Sequence, residues 1–473
     1  MSMIKFIIMI KSEKIKSIFA KLSGFSVTVY YSVLLFAVAG AFIFTGREVL
    51  GTYILAIIVS STLIFSDDLL PTLEGILVIC CFAIRCKNSA PEFFSMWYLG
   101  IPTVILVILR FILYKPQFRK NSFTPGMLAV SAAILLGGAG IIYWKSYFSP
   151  TSLFYMFSLG IGMVILISFV SPCLRSDRGY DFSDRFAKIH MTALFTLALS
   201  LFQEYASRFD EFSQKFSVLP FQWRNNAATI LMMCMPFAFY LAAKKYSWTF
   251  AGLLDYIAIL FTGSRGGLIF GTVELAICLV LILVLDKKHR KNNIILICVL
   301  SLGAILASEI LFEMISYTIQ RMLDPDENSI RLKLIERGFE DFKASPMVGR
   351  GLGYMGNRDI HQSAKHTLCW YHCSIVQVFA STGLIGAAAY TFLNVQRIRC
   401  FIKNLSFFAV ILFTAFIGLE MMSFVNPGIF APFPYLMLAT IYFAVMENCN
   451  SKDTEGLRIM MKGKKDESSD NRE

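Results

Sequence analysis

Long apolar runs recur along this 473-residue sequence, and they constrain the fold more than any other feature. Each run covers roughly 17–25 residues, the length that an α-helix needs to cross the hydrocarbon core of a bilayer. Hydrophobic residues make up 56% of the chain and charged residues only 16%. A soluble protein of this composition would expose much of its apolar side-chain surface to water. The sequence therefore predicts an all-α polytopic membrane protein.

The hydropathy pattern predicts about 12–14 transmembrane helices. The candidate spans lie at 27–45, 49–65, 69–84, 93–113, 125–143, 152–170, 187–203, 227–243, 247–262, 266–285, 293–312, 374–395, 405–425 and 430–446. The apolar patch IKFIIMIK near the N-terminus lies between Lys5 and Lys11 and is too short and too charged for a cleavable signal peptide. We expect residues 1–26 to lie at the cytoplasmic interface instead.

The placement of lysine and arginine predicts an orientation. If the N-terminus is cytoplasmic, most of the 44 Lys and Arg residues fall in inside segments, as the positive-inside rule requires. Both termini are then cytoplasmic, whereas residues 262–267 and the loop at 313–373 are external. The net charge of +12 reflects this topology and does not indicate a nucleic-acid partner. The chain divides into an N-terminal segment (1–26), helices 1–11 (27–312), a large external loop (313–373), helices 12–14 (374–446) and a basic cytoplasmic tail (447–473).

The stretch FTGSRGG at 261–267 places a single charge between two apolar runs. Its glycines allow a sharp turn and close approach of another molecule. Because the next span begins near Gly266, the free N–H groups and the positive dipole end of that helix lie beside Arg265. A helix N-terminus next to a guanidinium is suited to phosphate oxygens. The alternative is an arginine that extends to the membrane interface at a helix boundary.

The external loop holds a second arginine of interest. The spacing of apolar residues predicts a helix over 329–343, with Ser329 as its cap and Arg331 in its first turn. An arginine at that end gains nothing from the helix dipole, but it is tolerated if an anion lies nearby. The alternative is a solvated surface charge. Pro346 and a glycine-rich stretch end the helix.

Two further patterns in this loop suggest metal ligands. Asp324 and Asp326 have a D-x-D spacing that can hold Mg²⁺ or Mn²⁺ beside a nucleotide-sugar diphosphate. The surrounding DPDEN is also ordinary turn chemistry, and nucleotide sugars are cytosolic whereas this loop is external. We therefore favour a turn at this position.

The second pattern consists of His366, Cys369, His372 and Cys373, which are spaced to share one helical face and to bind zinc. Their linear spacing fits no standard structural zinc site. His372 precedes a span and lies on the same face as two arginines, so it fits a general base better. Imidazole titrates near neutral pH, and nearby cations favour its unprotonated form.

Four motifs resemble those of one family. FTGSRGGLIFG resembles the T-x-S-R-G motif of the O-antigen ligase / Wzy polymerase superfamily. IRLKLIERGFEDFKASPMVGRGLG is similar to that family's arginine, helix and P-x-x-G-x-G stretch, and HCSIVQVFASTGLIG to its HN-x-x-L-Q…G-L-I-G segment. WRNNAATILMMCMPFAFYL resembles the Asn-rich start of the span before the arginine motif. Together these cover roughly 220–390 in the family's order, with Cys373 in place of the usual asparagine.

The resemblance implies a GT-C-like bacterial membrane glycosyltransferase. Such an enzyme takes a glycan from undecaprenyl diphosphate at the outer face of the cytoplasmic membrane. It transfers the glycan to an acceptor hydroxyl with inversion, and it uses no metal or other cofactor. Arg265 and Arg331 carry over as the diphosphate-binding arginines and His372 as the base, which makes 313–373 a catalytic loop. The further positions expected to bind substrate are Gly263, Ser264, Arg224, Asn225, Asn226, His366, Gly353, Gln377 and Glu420.

The motifs leave the acceptor open. A polymerase that joins lipid-linked repeat units of O-antigen or capsule shares them with a ligase that passes glycan to a lipid, a cell-wall polymer or a protein. The expected partners are the lipid-linked oligosaccharide, the acceptor glycan or lipid, membrane lipid and other polysaccharide-assembly proteins. The rival class is a transporter such as a lipid-linked oligosaccharide flippase. A transporter should show internal repeats and polar residues near the midplane, whereas the polar residues here concentrate in external loops.

Overall fold

A computed structural model shows the arrangement of the chain. It describes residues 13–86, 90–137, 151–174, 180–211, 224–306, 308, 309, 312, 316, 325–356, 358–361 and 370–448. Within these residues the regular structure is helical and includes no β-strand, which confirms the all-α class.

The α-helices are numbered here in chain order. They are α1 (Glu13–Ser26), α2 (Val29–Thr45), α3 (Glu48–Phe65), α4 (Leu70–Ala83), α5 (Ala90–Ser95), α6 (Ile101–Leu113), α7 (Thr124–Leu136), α8 (Thr151–Leu159), α9 (Ile161–Val170), α10 (Phe182–Ser207), α11 (Arg224–Lys244), α12 (Thr249–Phe261), α13 (Arg265–Leu285), α14 (Arg290–Leu306), α15 (Pro325–Ala344), α16 (Arg358–His361), α17 (Ser374–Lys403), α18 (Phe407–Ser423) and α19 (Met437–Asn448).

Every predicted span overlaps at least one of these helices. In the described part of the chain, five helices are long and apolar enough to cross a membrane by themselves, namely α3, α10, α11, α13 and α17. Two bent pairs, α1 with α2 at 74° and α8 with α9 at 41°, raise this number to seven if each pair is one span. Length and composition therefore support five to seven spans directly, and the remaining predicted spans hold shorter or interrupted apolar helices.

Helix α11 lies at the centre of the bundle. Its sequence is apolar on all sides, as is typical of a helix surrounded by protein, and nearly all of it is buried. It packs against α10, α12, α13 and α18. On α10, the His190 ring stacks on Phe237 of α11 at 3.9 Å and its Nε2 lies 3.0 Å from the Tyr442 hydroxyl. This contact joins α10, α11 and α19 in one core.

Polar contacts between helix ends form two separate layers. At one end, Arg85 pairs with Glu48 at 3.1 Å and donates to the Gln203 side chain at 2.8 Å. At the same end, the Tyr205 hydroxyl donates to the Phe261 carbonyl at 2.8 Å. These residues belong to segments predicted to be external or lie at the ends of the predicted spans next to them.

The opposite layer joins segments predicted to be cytoplasmic. Lys244 pairs with Asp181 at 2.6 Å, and the Asn121 amide donates to Glu447 at 3.0 Å. Segments assigned to one side of the membrane thus contact each other, as alternating spans require. Which layer faces the cytoplasm follows from the positive-inside rule and stays a prediction.

Candidate functional site

The arginine motif forms the capped N-terminus of α13. The helix begins at Arg265, which is half-buried, and the Ser264 hydroxyl accepts a 3.0 Å hydrogen bond from the Gly267 N–H. Gly263 has a φ of 64°, so the turn before the cap requires a residue without a Cβ. The predicted helix start beside Arg265 is therefore confirmed. The positive dipole end and the first N–H groups of α13 therefore lie next to Arg265.

The N-terminus of α11 packs directly against this cap. The Ser264 hydroxyl donates to Asn225 Oδ1 at 2.8 Å. The helices also approach closely, because a Cβ added to Gly267 would lie 2.8 Å from the Ala228 Cβ. Arg224 is the first residue of α11. The Asn-rich segment and the arginine motif, which the sequence suggested separately, therefore form one structural unit.

A third segment completes this unit, and the sequence did not single it out as part of the site. The Asn426 amide, just after α18, donates to Asn226 Oδ1 at 3.2 Å. The Tyr435 hydroxyl donates to the Asn226 carbonyl at 3.1 Å. The signal was present as an Asn-Pro turn after an apolar span at its predicted external end. The segment 424–436 thus holds the start of α11 in place.

Helix α15 differs from its predicted form at its N-terminus. It begins at Pro325, four residues before the expected cap, so Ser329 lies inside the helix and Arg331 lies in the second turn. Proline favours the first helical position because its φ is already helical and its missing N–H needs no partner there. The dipole argument for an anion near Arg331 is correspondingly weaker.

The face of α15 that carries Arg331 packs on the start of α17. Ile335 contacts a small apolar cluster that includes Val376 of α17, and the Gly338 backbone approaches the Val376 side chain too closely for any larger residue. Arg331 is four residues before Ile335 and seven before Gly338, a spacing that places all three on one helical face. Arg331 itself is half-buried.

His372 lies immediately before α17 in an unusual backbone conformation. Its φ is 53°, and Cys373 forms the N-cap of the helix with an extended backbone. The expectation that these two residues lie on a helical face with His366 and Cys369 is therefore wrong for His372 and Cys373, because neither is helical. The predicted beginning of α17 at residue 374 is confirmed.

Gln377 fixes the residue that precedes the histidine. Its Oε1 accepts a 3.1 Å hydrogen bond from the Tyr371 backbone N–H, and its Nε2 donates to the Ser381 hydroxyl at 2.9 Å. Gln377 is almost fully buried. Its structural contacts indicate positioning of the histidine loop, and the predicted contact with substrate stays a prediction.

The glycine motifs form a backbone pairing. Four backbone hydrogen bonds of 2.8–3.1 Å join residues 346–351 to residues 380–385, where α17 is broken. Gly383 at the break has a φ of 62°, and a Cβ there would lie 2.5 Å from the Met347 carbonyl. Gly349 has a φ of 69° and also lies against the opposite backbone. Gly353 is buried just beyond the pairing.

Residues 424–436 also contact the histidine loop. The ring of Phe430 lies 6.5 Å from that of Trp370, two residues before His372. The same segment supplies Asn426, which bonds to Asn226 beside the arginine motif. One short segment of chain therefore contacts both the arginine motif and the histidine loop.

A buried carboxylate supports the histidine loop from α15. Asp341 Oδ2 accepts a 2.6 Å hydrogen bond from the Tyr371 hydroxyl, and Arg350 Nε lies 3.8 Å from Asp341 Oδ1. Burial raises the pKa of the Asp341 carboxyl, while the Tyr371 hydrogen bond and the charge of Arg350 oppose the rise. Sequence reasoning missed this residue, although an acid on the apolar face of a predicted helix was the available signal.

Glu420 lies on a cavity within the bundle. Arg397, Tyr390, Asn394 and Thr440 also line this cavity. Most of the remaining lining is aliphatic or thioether side chain. The Arg397 guanidinium lies over the Phe416 ring at 5.3 Å. A role for Glu420 in substrate binding stays a prediction.

Several predicted residues lie outside the described part of the chain. These are Asp324, His366 and Cys369, and the side chain of Asp326. Among the residues that the structure describes, no group of three or more His, Cys, Asp or Glu side chains is placed to hold a metal ion.

Comparison with known families bears on the same stretch of chain. A family model described as O-antigen ligase, Wzy_C, matches residues 250–391. The matched range runs from α12 into α17 and contains Arg265, Arg331 and His372. No curated protein matches the chain.

Proposed function

Because the chain carries a domain of the O-antigen ligase/Wzy superfamily, we propose that it is a membrane glycosyltransferase acting on lipid-linked glycan. The donor is an oligosaccharide on undecaprenyl diphosphate at the outer face of the bacterial cytoplasmic membrane. The acceptor is a hydroxyl of another glycan or lipid. In the same proposal, both termini are cytoplasmic and catalysis needs no metal.

The first part of the proposed mechanism concerns the leaving group. When the bond between the anomeric carbon and the diphosphate oxygen breaks, negative charge develops on the diphosphate. Arg265 and the N-terminus of α13 offer a guanidinium and a positive dipole end to that charge. Arg331, on the face of α15 that packs against α17, supplies a second guanidinium. Two arginines match phosphate oxygens in both charge and hydrogen-bond geometry.

The second part concerns the nucleophile. The acceptor hydroxyl attacks the anomeric carbon from the side opposite the diphosphate, so a single displacement inverts the configuration. His372 accepts the hydroxyl proton as the new bond forms. The left-handed backbone of His372 sets its side chain off from the helix that follows, which suits a group that must meet a substrate.

The observation that carries the proposal is that one segment of the chain contacts both the arginine motif and the histidine loop. The segment 424–436 contacts the Asn226 end of the arginine motif through Asn426, and it contacts the histidine loop through Phe430. Both elements also lie in the layer of helix ends predicted to be external. An arginine, a helix N-terminus and a histidine on one membrane face are the parts that the reaction needs.

The test is alanine substitution of each proposed residue in cells that make the surface glycan. We expect Arg265→Ala, Arg331→Ala and His372→Ala each to abolish glycan transfer while lipid-linked units accumulate. Lys333→Ala is the matched control for Arg331, since it removes an exposed charge from the same helix. His289→Ala is the control for His372, since it lies in the opposite layer beside Asp286. Normal glycan in all three site variants would refute the mechanism.

A deletion strain separates the two sub-classes of the enzyme. Surface glycan made of single, unpolymerised units would indicate a polymerase. Full-length chains retained on the carrier lipid would indicate a ligase. Lipid-linked units that stay on the cytoplasmic side would instead indicate a flippase, because loss of a polymerase or a ligase does not stop their movement to the outer face.

Dependence on metal is tested with purified protein. We expect transfer to continue in the presence of a chelator, because the arginines and the helix N-terminus stabilise the leaving group. Activity that is lost with chelator and restored by Mg²⁺ or Zn²⁺ would support the D-x-D or the His/Cys pattern in the external loop.

A further inference from the structure

The backbone of His372 is held in a conformation that the residue does not favour. A φ of 53° is left-handed, which is uncommon for a residue with a Cβ. Such a conformation persists only when neighbouring groups fix it. The groups that fix the preceding residue, Tyr371, are therefore expected to determine where the imidazole lies.

Tyr371 is anchored at both its backbone and its side chain. Its N–H donates to Gln377 Oε1 at 3.1 Å, and its hydroxyl donates to Asp341 Oδ2 at 2.6 Å. The ring is 3% exposed and packs with Val376 and Ala380 at the start of α17. The Gln377 bond ties Tyr371 to α17, whereas the Asp341 bond ties it to α15.

Asp341 is placed where a carboxylate is unfavourable for folding. It is 3% exposed, and burial raises the pKa of its carboxyl despite the groups that face it. Those groups are Tyr371, Arg350, Arg337 and Tyr354. The folded structure thus disfavours the ionised carboxyl relative to its neutral form. A residue retained at such a cost is a candidate for a functional role.

We propose that Asp341 and Tyr371 form a positioning pair, in which the carboxylate on α15 holds the tyrosine hydroxyl and thereby orients His372 toward the acceptor hydroxyl. The proposal rests on the role of His372 as base. In this proposal α15 carries Arg331 and also fixes the position of His372, so the helix links the two residues.

The test uses Asp341→Asn and Tyr371→Phe in the purified full-length protein. Tyr371→Phe removes the hydroxyl donor, and Asp341→Asn replaces the carboxylate acceptor with a neutral amide, in both cases with little change in shape. We expect kcat to fall at least roughly tenfold with little change in KM for the donor, because the base is displaced and the arginines are not. Asp359→Asn, an exposed aspartate on α16 in the same external loop, is the matched control and should leave kcat unchanged.

Thermal unfolding distinguishes positioning from a structural role. Because burial raises the pKa of Asp341, removing its charge should leave the melting temperature of Asp341→Asn at neutral pH no lower than that of the wild type. A loss of kcat that merely follows a loss of folded protein in both variants would overturn the proposal. If Asp341→Asn does not fold, Tyr371→Phe decides, since it removes a single hydroxyl.

A second readout does not depend on the proposed reaction. The rate at which diethylpyrocarbonate modifies His372, measured by mass spectrometry, should change in both variants and stay constant in Asp359→Asn. A rate that is unchanged in both variants would overturn the positioning pair. If the rate changes while His372→Ala keeps full transferase activity, the positioning pair stands and the proposed function of the histidine fails.

Discussion

The arginine region (224–228, 262–267 and 426) is built from helix ends, whereas the histidine region (346–351 and 370–385) is built from irregular backbone. In the arginine region a serine cap, two asparagines and a close glycine contact join regular helices. In the histidine region four residues have a left-handed φ, namely Gly349, Gly351, His372 and Gly383, compared with Gly263 alone in the arginine region. Both regions hold a charged or titratable side chain at the same face of the bundle.

The two regions thus hold a functional side chain with different kinds of backbone structure. A helix N-terminus presents free N–H groups and a dipole without strain, so it suits an anion that must be bound for the whole reaction. A left-handed residue directs its side chain away from the helical path, but it needs outside anchors to stay there. Changes in the arginine region should therefore act through packing or anion binding, and changes in the histidine region through the position of the base.

Removal of either proposed catalytic group, Arg265 or His372, should have the largest effect on activity. Chemical rescue distinguishes the two variants. Removal of a general base costs roughly 10²–10⁴-fold in rate, and removal of a charge-stabilising donor costs roughly 10²–10³-fold. We expect added imidazole to restore part of the activity of His372→Ala, and added guanidinium to restore part of that of Arg265→Ala. Rescue of Arg265→Ala by imidazole would contradict the division of roles between the regions.

The second prediction concerns the break in α17. In Gly383→Ala the new Cβ would lie 2.5 Å from the Met347 carbonyl at a φ of 62°. With a ψ of −159°, this backbone conformation is essentially restricted to glycine and costs another residue roughly 1–3 kcal/mol, and the clash adds to that cost. We expect a lower melting temperature together with a loss of activity.

Gly303→Ala is the control for the break, because no described atom lies within 4 Å of its added Cβ and it lies in a regular helix. Alanine there should be neutral or stabilising, by up to about 1 kcal/mol. If Gly383→Ala is as stable as Gly303→Ala, the histidine region does not depend on irregular backbone.

These regions also differ in how far the sequence predicted them. The start of α13 beside Arg265 followed from the apolar period and the T-G-S-R-G turn, because caps and helix starts are local properties. The start of α17 at Ser374 was predicted for the same reason. The early start of α15 at Pro325 was missed, since a proline in DPDEN favours a turn and the first position of a helix about equally.

Contacts between residues far apart in the chain could not be predicted from the sequence. Asn426 lies 200 residues from its partner Asn226, and Tyr371 lies 30 residues from Asp341. Nothing in the local pattern indicates which polar groups meet after the helices pack. The left-handed φ of His372 was missed because it results from anchors on two helices, whereas the residue itself favours an ordinary conformation.

The third prediction tests the close approach of α11 and α13. In Gly267→Ala the added Cβ would lie 2.8 Å from the Ala228 Cβ, a methyl group that cannot rotate away. Overpacking of this kind typically costs about 1–3 kcal/mol. We expect a lower melting temperature and weaker binding of the lipid-linked donor. The control is Gly24→Ala, where no described atom lies within 4 Å of the added Cβ; equal melting temperatures would show that the helices separate freely.

The smallest expected effect compares two serine caps of equal geometry. Ser264 accepts from the Gly267 N–H at 3.0 Å, and Ser406 at the start of α18 accepts from the Ala409 N–H at 3.1 Å. Both are nearly fully buried, so alanine at either position should cost about 1 kcal/mol of folding free energy. Only Ser264→Ala should also raise KM for the lipid-linked donor, because it alone frees Asn225 and loosens the helix end beside Arg265. The Ser406 cap lies in the layer predicted to be cytoplasmic. If Ser406→Ala raises KM equally, general loss of stability explains the effect. The N-terminus of α13 then has no special part in binding the diphosphate.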